Sequence, residues 1–500
     1  MNRQIRKVAG AVGVLMLALL VNLNFVQVVK GDDYRNNSGN QRVILDEYSN
    51  PRGAIVVDGT QVAESIATTD ELKYLRRYPE GPIYAPATGF YSLLYGRTGI
   101  EDAENGVLSG TDDRLFAQRV ADILTGRNPQ GGSVDLTLNK AAQEAAYRDM
   151  AGKRGAVVAL DPSTGAILTM VSMPSYDPNK LSSHDADAIE TEWKQLTQHD
   201  PTNSLLNRAL GQTYPPGSVF KIMVAAAALK AGIKPSDRIP APDVLKLPGT
   251  QSATLQNFGG ERCGDGKTDT LDHALTISCN TAFAQLCLTL GEQTIRNETN
   301  LFGLDQQQRP VPLAVAGSTI GPVIDQAALA QTCIGQRDVR VTPLQAAMLS
   351  AAVANQGVLM KPYLVKDERA HNLSVLSATQ PSQQSTVIDP TLDQDLVTMM
   401  EHVVSQGTGT PAQITDLPGV VVAGKTGTAD NGPVDANGNP TLAPHAWFSG
   451  FALQNGNAKI AVAVIIENGG VTGNETTGGK AAAPVARDVM EAYLRSVGVH

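Results

Sequence analysis

One uninterrupted apolar run near the N-terminus limits what the rest of the chain can become. Residues 8–29 form a stretch of about 22 mostly apolar residues, enough to cross the hydrocarbon core of a bilayer as a helix. Asn22, Asn24 and Gln27 weaken its last turns without breaking it. A cleaved signal peptide would carry a shorter apolar region, about 7–15 residues, with a small-residue cleavage site after it. Here Val26, Val28, Val29 and Lys30 follow, and no Ala-x-Ala appears. Residues 1–30 are therefore read as an uncleaved anchor in the cell membrane. Arg3, Arg6 and Lys7 precede the span, so the N-terminus is expected in the cytoplasm and the remainder outside.

The 500 residues are too many for one ordinary domain. A hydrophobic content of 42% suits a packed core. The formal charge of −9 offers no dominant basic face to neutralise phosphates, which argues against nucleic acid as a partner. Residues 31–130 are polar, Gly-rich and mixed in charge. They also hold apolar patches at residues 44–45, 53–57 and 90–94, which a mere linker would lack. They are read as a small irregular domain that holds residues 131–500 away from the membrane.

Residues 131–500 are more regular. Gly155–Leu160 and residues 166–173 are apolar runs split by Asp161-Pro162-Ser163-Thr164-Gly165, the pattern of a hairpin. Residues 139–150, 219–230 and 484–496 have helical composition. Residues 420–428, 445–453 and 460–467 read as strands of an antiparallel meander. Strands thus lie at both ends of the region and helices in its middle. The fold class expected is α/β (α+β), one antiparallel sheet whose first and last strands are distant in sequence, flanked by helices. Residues 377–386, rich in Ser, Gln and Thr, read as a surface loop.

Three short motifs can carry chemistry. In Tyr214-Pro215-Pro216-Gly217-Ser218-Val219-Phe220-Lys221, the prolines and glycine end whatever precedes, and an apolar helix begins. Ser218 then sits at a helix start, where free N–H groups favour negative charge. Lys221, three residues on, shares its helical face. Apolar neighbours would desolvate that lysine and lower its pKa, allowing it to take the serine proton. Ser278-Cys279-Asn280 begins another helical run, and a hydroxyl two residues from an amide can relay a proton and hold a substrate amide. Lys425-Thr426-Gly427-Thr428 ends a strand whose edge could pair with an extended peptide and whose lysine and hydroxyls could bind a carboxylate. Singly, each has an ordinary explanation as a helix cap, a surface lysine or an exposed strand end. Together and in this order they form the set shared by penicillin-binding proteins and class A β-lactamases.

The chain resembles class B penicillin-binding proteins, the monofunctional D,D-transpeptidases of bacterial cell walls. Further motifs carry the likeness over nearly the whole chain. They are Asp46-Glu47-Tyr48, Arg52-Gly53-Ala54-Ile55, Gly155-Ala156-Val157-Val158-Ala159-Leu160-Asp161-Pro162, Pro174-Ser175-Tyr176-Asp177-Pro178-Asn179 and Asn207-Arg208-Ala209. The resemblance implies that Ser218 is acylated, with Lys221 as its general base. It implies that Ser278 shuttles a proton to the leaving amine and that Asn280 holds the substrate amide. Lys425, Thr426 and Thr428, in the motif with Gly427, would bind the terminal carboxylate. The N–H groups of Ser218 and Thr428 would form the oxyanion hole. It implies peptidoglycan stem peptides and β-lactams as ligands. About 100 residues between anchor and catalytic domain are too few for a glycan polymerase as well, so a separate membrane-embedded polymerase is the expected partner. Cys279 at the middle of the second motif and Asp430 after the third depart from the usual pattern.

Rival readings lack their own marks. A Ser–His–Asp hydrolase wants Gly-x-Ser-x-Gly, and Phe220 stands at the second glycine. A class A β-lactamase needs a deacylating Glu with Asn four residues on and Leu just before that Asn. Of Glu292, Glu298, Glu368 and Glu401, only Glu368 has the Asn, at Asn372, and His371 replaces the Leu. A D,D-carboxypeptidase would share the motifs, and a non-enzymatic β-lactam sensor would need a cytoplasmic output domain.

No Cys-x-x-Cys pair or His cluster suggests zinc, and no cofactor is expected. Cys263, Cys279, Cys287 and Cys333 allow three full pairings. A Cys263–Cys279 bridge is expected, because the intervening Gly264-Asp265-Gly266-Lys267 is turn-like and leads to Ser278, which must be held. Cys263–Cys287 competes, and Cys333 could join any of the three. Cys279–Cys287 fits poorly, both being on one helix more than two turns apart. Cys287 and Cys333 also suit buried free thiols.

Overall fold

The computed structural model describes residues 2–31, 34, 47–125, 130–306, 311–432, 442–469 and 477–500. Residues 44–46, which carry part of the N-terminal motif, lie outside that set. Helix α1, Asn2–Asn24, continues as a π-turn over Phe25–Val29. The stretch Arg3–Val29 is long and apolar enough to cross a membrane and is unburied by the rest of the chain.

A first sheet is built on β1 (Ile55–Val57), β2 (Thr60–Ala67), β3 (Tyr74–Arg77) and β4 (Ser133–Leu136). Arg52 and Arg76 both reach the buried Glu101 carboxylate, at 2.5 and 2.6 Å, and Tyr78 donates to the same group. Gly53 explains its motif sterically, because a Cβ there would lie 1.7 Å from the Gly132 carbonyl oxygen.

The larger region holds helix α2 (Lys140–Asp149), then β5 (Gly155–Leu160) and β6 (Ile167–Met173). Next come helices α3 (Lys221–Lys230), α4 (Leu271–Thr276), α5 (Asn280–Leu290) and α6 (Pro343–Ala354). Strands β7 (Val365–Arg369) and β8 (Val375–Ala378) and helix α7 (Pro390–Ser405) follow. The chain ends in β9 (Val420–Ala429), β10 (His445–Gln454), β11 (Asn457–Ile466) and helix α8 (Gly478–Ser496). Its sheet runs β9-β10-β11-β5-β6, antiparallel throughout, so the closing strands join the opening hairpin as the pattern suggested.

That sheet is covered on both faces. Ala156, Val158 and Leu160 pack into the cluster that contains α6, while Val157 and Ala159 join α2 and α8 on the other side. Alternate residues point to opposite faces of a strand, so two covered faces make the run continuously apolar. Each fully buried Val, Ile or Leu there contributes about 1.5–3 kcal/mol relative to exposure.

One expectation fails here for a physical reason. Residues 377–386 are not a plain loop, because β8 pairs with β7 and Gln383–Thr386 pairs with Val358–Met360. These strands are largely exposed, so no apolar alternation marked them. The first sheet draws on strands from both sides of residue 130. β4 pairs in parallel with β1, and β7 and β8 extend the sheet beyond it, giving the order β8-β7-β4-β1-β2-β3. Helix α8 begins six residues before Pro484, which stands inside it rather than at its start.

Candidate active site

The nucleophile candidate sits on a tight turn. Gly217–Phe220 forms a 3₁₀ turn that runs directly into α3, so Ser218 precedes the regular helix. Gly217 has φ +53°, and a Cβ there would stand 2.6 Å from the Thr428 carbonyl oxygen. Glycine is what lets this turn lie against β9. Gly427 is required from the other side, since its Cβ would meet the Pro216 carbonyl oxygen at 2.7 Å. Trp447 Nε1 donates to the Pro215 carbonyl at 3.0 Å, and Gly217 N donates to the Gly335 carbonyl at 3.0 Å.

Beneath the turn lie two fully buried lysines. Lys221 Nζ donates to the Ser278 carbonyl and to Asn280 Oδ1, both at 2.8 Å, and reaches Ser278 Oγ at 3.4 Å. The Phe283 ring centre is 5.5 Å from that nitrogen. Burial, and then the charge of Lys425, hold the Lys221 pKa well below the usual lysine range. Lys425 Nζ donates to Ser278 Oγ at 2.8 Å and to the Thr426 carbonyl at 3.0 Å. Burial lowers its pKa to about 7. The Ser278 hydroxyl therefore links both amines. No hydrogen bond joins Lys221 to Ser218 among the described residues.

The second motif is held against strain. Ser278 has φ +65°, a left-handed backbone that costs a non-glycine residue about 1–2 kcal/mol. Ser278 N donates to the Leu275 carbonyl and Cys279 N to the Ala274 carbonyl, closing the turn between α4 and α5. Cys279 is bridged to Cys263, with Cα atoms 6.1 Å apart. Cys287 and Cys333 are not free thiols. They form a second bridge, from α5 to the loop before Gly335. Two residues at the site carried no signal in the sequence. Asn257 Oδ1 accepts from Asn280 N and Thr281 N at 2.7 and 3.1 Å, capping α5 from another loop. Thr408 Oγ1 lies 2.6 Å from Thr426 Oγ1. A lone Asn in a Gly-rich loop and a Thr between glycines follow no spacing rule.

These groups surround a cleft of about 740 Å³ lined by Ser218, Ser278, Asn280, Thr426 and Thr428. β9 is an edge strand of its sheet, so its outer backbone groups face the cleft unpaired by another strand. The arrangement brings together a hydroxyl, two buried amines with a serine hydroxyl between them, and a strand edge that carries hydroxyls.

The chain belongs to the class B penicillin-binding proteins. The family of the penicillin-binding protein transpeptidase domain matches residues 155–491, and that of the penicillin-binding protein A dimerisation domain matches residues 52–134. It is 46% identical to the peptidoglycan D,D-transpeptidase PbpA of Mycolicibacterium smegmatis, over 99% of both chains. To the protein of the same name from Mycobacterium tuberculosis it is 44% identical, also over 99% of both. Among solved structures, penicillin-binding protein A of M. tuberculosis in its ceftriaxone acyl-enzyme complex superposes with a TM-score of 0.85 at 45% identity. That match covers 90% of this chain and 100% of that one.

Proposed function

We propose that this chain is a peptidoglycan D,D-transpeptidase acting through an acyl-enzyme on Ser218. The observation that carries the reading is the burial of Lys221 beside the Ser218 turn, with its Nζ held by Ser278 and Asn280. Burial holds the pKa of that amine well below the usual lysine range, which favours the neutral form that can take a proton. Lys221 takes the Ser218 proton as Oγ attacks the carbonyl of the penultimate residue of a donor peptide. Catalytic hydrogen bonds commonly close only when substrate is bound. The N–H groups of Ser218 and Thr428 stabilise the oxyanion. The bond to the terminal residue breaks, and its amine receives a proton through the Ser278 hydroxyl. Asn280 holds the substrate amide. The terminal carboxylate lies toward Lys425, Thr426 and Thr428. A second peptide's amine then attacks the ester, releasing Ser218 with a cross-link formed.

β-Lactams would trap the same ester, in keeping with the acyl-enzyme complexes described for the M. tuberculosis relative. Residues 1–30 anchor the chain with its N-terminus in the cytoplasm. The N-terminal module lifts the catalytic domain toward the wall, beside a membrane-embedded glycan polymerase. Intact-mass measurement after incubation with penicillin tests the core of the proposal. One adduct on the peptide containing Ser218 is expected, and an adduct that persists in Ser218→Ala overturns it.

A further inference from the structure

The Thr426 hydroxyl has a partner that its own motif does not supply. Thr426 is only 6% exposed, and among the described residues its Oγ1 meets no group but the hydroxyl of Thr408, at 2.6 Å. Thr408 is exposed and lines the cleft with Ser218, Ser278 and Thr428. It lies in the short loop that follows α7, 18 residues before Thr426.

Backbone contacts pin that loop. Thr408 N donates to the Thr276 carbonyl at 3.3 Å, and Gly409 N to the Val403 carbonyl at 2.9 Å. A Cβ on Gly407 would stand 2.4 Å from the Thr276 carbonyl oxygen, and one on Gly479 would stand 2.3 Å from the Thr408 carbonyl oxygen. The loop is thus wedged between the end of α4, which leads into the Ser278 turn, and the start of α8. His402 of α7 lies 2.9 Å from Asp272 of α4, so the two helices beside the loop are tied to each other as well. Thr408 is held at the cleft by its surroundings and is not an ordinary surface residue that happens to point inward.

A hydroxyl has one proton to donate. Two hydroxyls 2.6 Å apart share one hydrogen bond, and its direction decides what Thr426 offers to the cleft. If Thr426 donated to Thr408, it would turn lone pairs toward a carboxylate and repel it. If Thr408 donates to Thr426, the Thr426 proton is left for an anion, and the two hydroxyls polarise in the same sense. A bound carboxylate favours the second direction, because a hydrogen bond to a charged acceptor is stronger than one to a neutral acceptor.

We infer that Thr408 is a positioning residue for acylation: its hydroxyl donates to Thr426 Oγ1 and so turns the Thr426 proton toward the terminal carboxylate of the substrate. Thr408 acts through Thr426 and does not itself touch the substrate. The assignment rests on the reading above, in which that carboxylate lies toward Thr426.

The test follows acylation of the full chain in detergent by stopped flow, with benzylpenicillin and with its methyl ester. The carboxylate of the acid stands in for the terminal carboxylate, and the ester removes its charge. Thr408→Val keeps the shape of the side chain and deletes the hydroxyl. With the acid, its apparent second-order rate constant should fall about fivefold, the size of one net hydrogen bond. With the ester, the fall should stay under about twofold, since the weakened acceptor gains less from an oriented donor. Thr408→Ser restores the hydroxyl and should recover the parent's preference for acid over ester. A purely structural role would slow both compounds alike. Equal losses for acid and ester, no loss for the acid, or a Thr408→Ser protein that behaves like Thr408→Val overturns the inference. Unaltered protein that reacts equally well with acid and ester would instead strike the placement of the carboxylate, and failure of penicillin to acylate it would strike the reading of Ser218. Either result removes the role of Thr408 as well.

Discussion

Gly335 gives the sharpest test of how Ser218, the proposed nucleophile, is placed. It lies in the loop between Cys333 and Val341 with φ +72°. An added Cβ would stand 2.0 Å from the Gly217 carbonyl oxygen and 2.7 Å from its carbon. That is at least about 1 Å inside ordinary contact distance, and the obstacle is backbone, which cannot rotate away. Gly335→Ala must therefore move the loop, the Ser218 turn or both by about that much. It must also disturb the 3.0 Å bond from Gly217 N to Gly335 O. A misplacement of about 1 Å in a reacting group costs on the order of a hundredfold in rate. The left-handed backbone adds about 1–2 kcal/mol of destabilisation. Gly59→Ala separates the two effects. Gly59 has nearly the same φ, +73°, in the distant β1–β2 turn, and nothing lies within 4 Å of its added Cβ. It should lose stability alone. Stopped-flow penicillin acylation and thermal melts on both variants give the answer. Acylation of Gly335→Ala within about threefold of the parent, under ~1 kcal/mol of barrier, would refute the placement argument.

Other expectations concern the lysines and the bridges. Lys221→Met should fold and yet acylate at least about a hundredfold more slowly, the usual loss for a general base. Near-normal acylation by stopped flow would mean another group takes the proton. Lys425 titrates near 7 when folded and about 10.4 when unfolded, so between those values the unfolded chain binds more protons. Stability should rise with pH across that window and be lost as pH falls toward 7. Lys425→Met should flatten the trend in melts at pH 7 and 9, and an unaltered slope would contradict the assignment. Non-reducing peptide mapping should recover Cys263–Cys279 and Cys287–Cys333 as the bridges. For the second, which spans 46 residues, removing both cysteines should cost roughly 4 kcal/mol by chain entropy. Recovery of any of the four as an alkylatable thiol would count against it.

Much of this architecture is legible because punctuation and burial leave marks in the residues. Pro215, Pro216 and Gly217 mark a forced turn immediately before an apolar helix, which places Ser218 and Lys221 together. Strands covered on both faces read as unbroken apolar runs, so β5, β6, β9, β10 and β11 were visible. Asn257, Thr408 and Gly335 were not, because they act on backbone or on single hydroxyls brought near by the fold alone. The Cys287–Cys333 bridge was equally hidden. Cys287 occupies a buried position on α5, and nothing local shows that the loop ending at Gly335 passes beside it. β7 escaped notice because its buried positions, Asp367 and Glu368, are charged, and β8 because an exposed edge strand needs no apolar alternation.

The first sheet has a mechanical consequence. β1 continues from the anchor side of the chain, and β4 leads into the catalytic domain, the two lying parallel with Ile55 opposite Val134. Tension between the bilayer and the wall would pull the start of β1 one way and the end of β4 the other. Parallel strands loaded in that manner slide past each other, so their hydrogen bonds must break together rather than one at a time. β7, contributed by the catalytic region, grips the far side of β4 through four register pairs and shares the load. With residues 1–30 held in a bilayer, the link between anchor and active site would therefore be loaded in shear, the geometry in which paired strands resist pulling best.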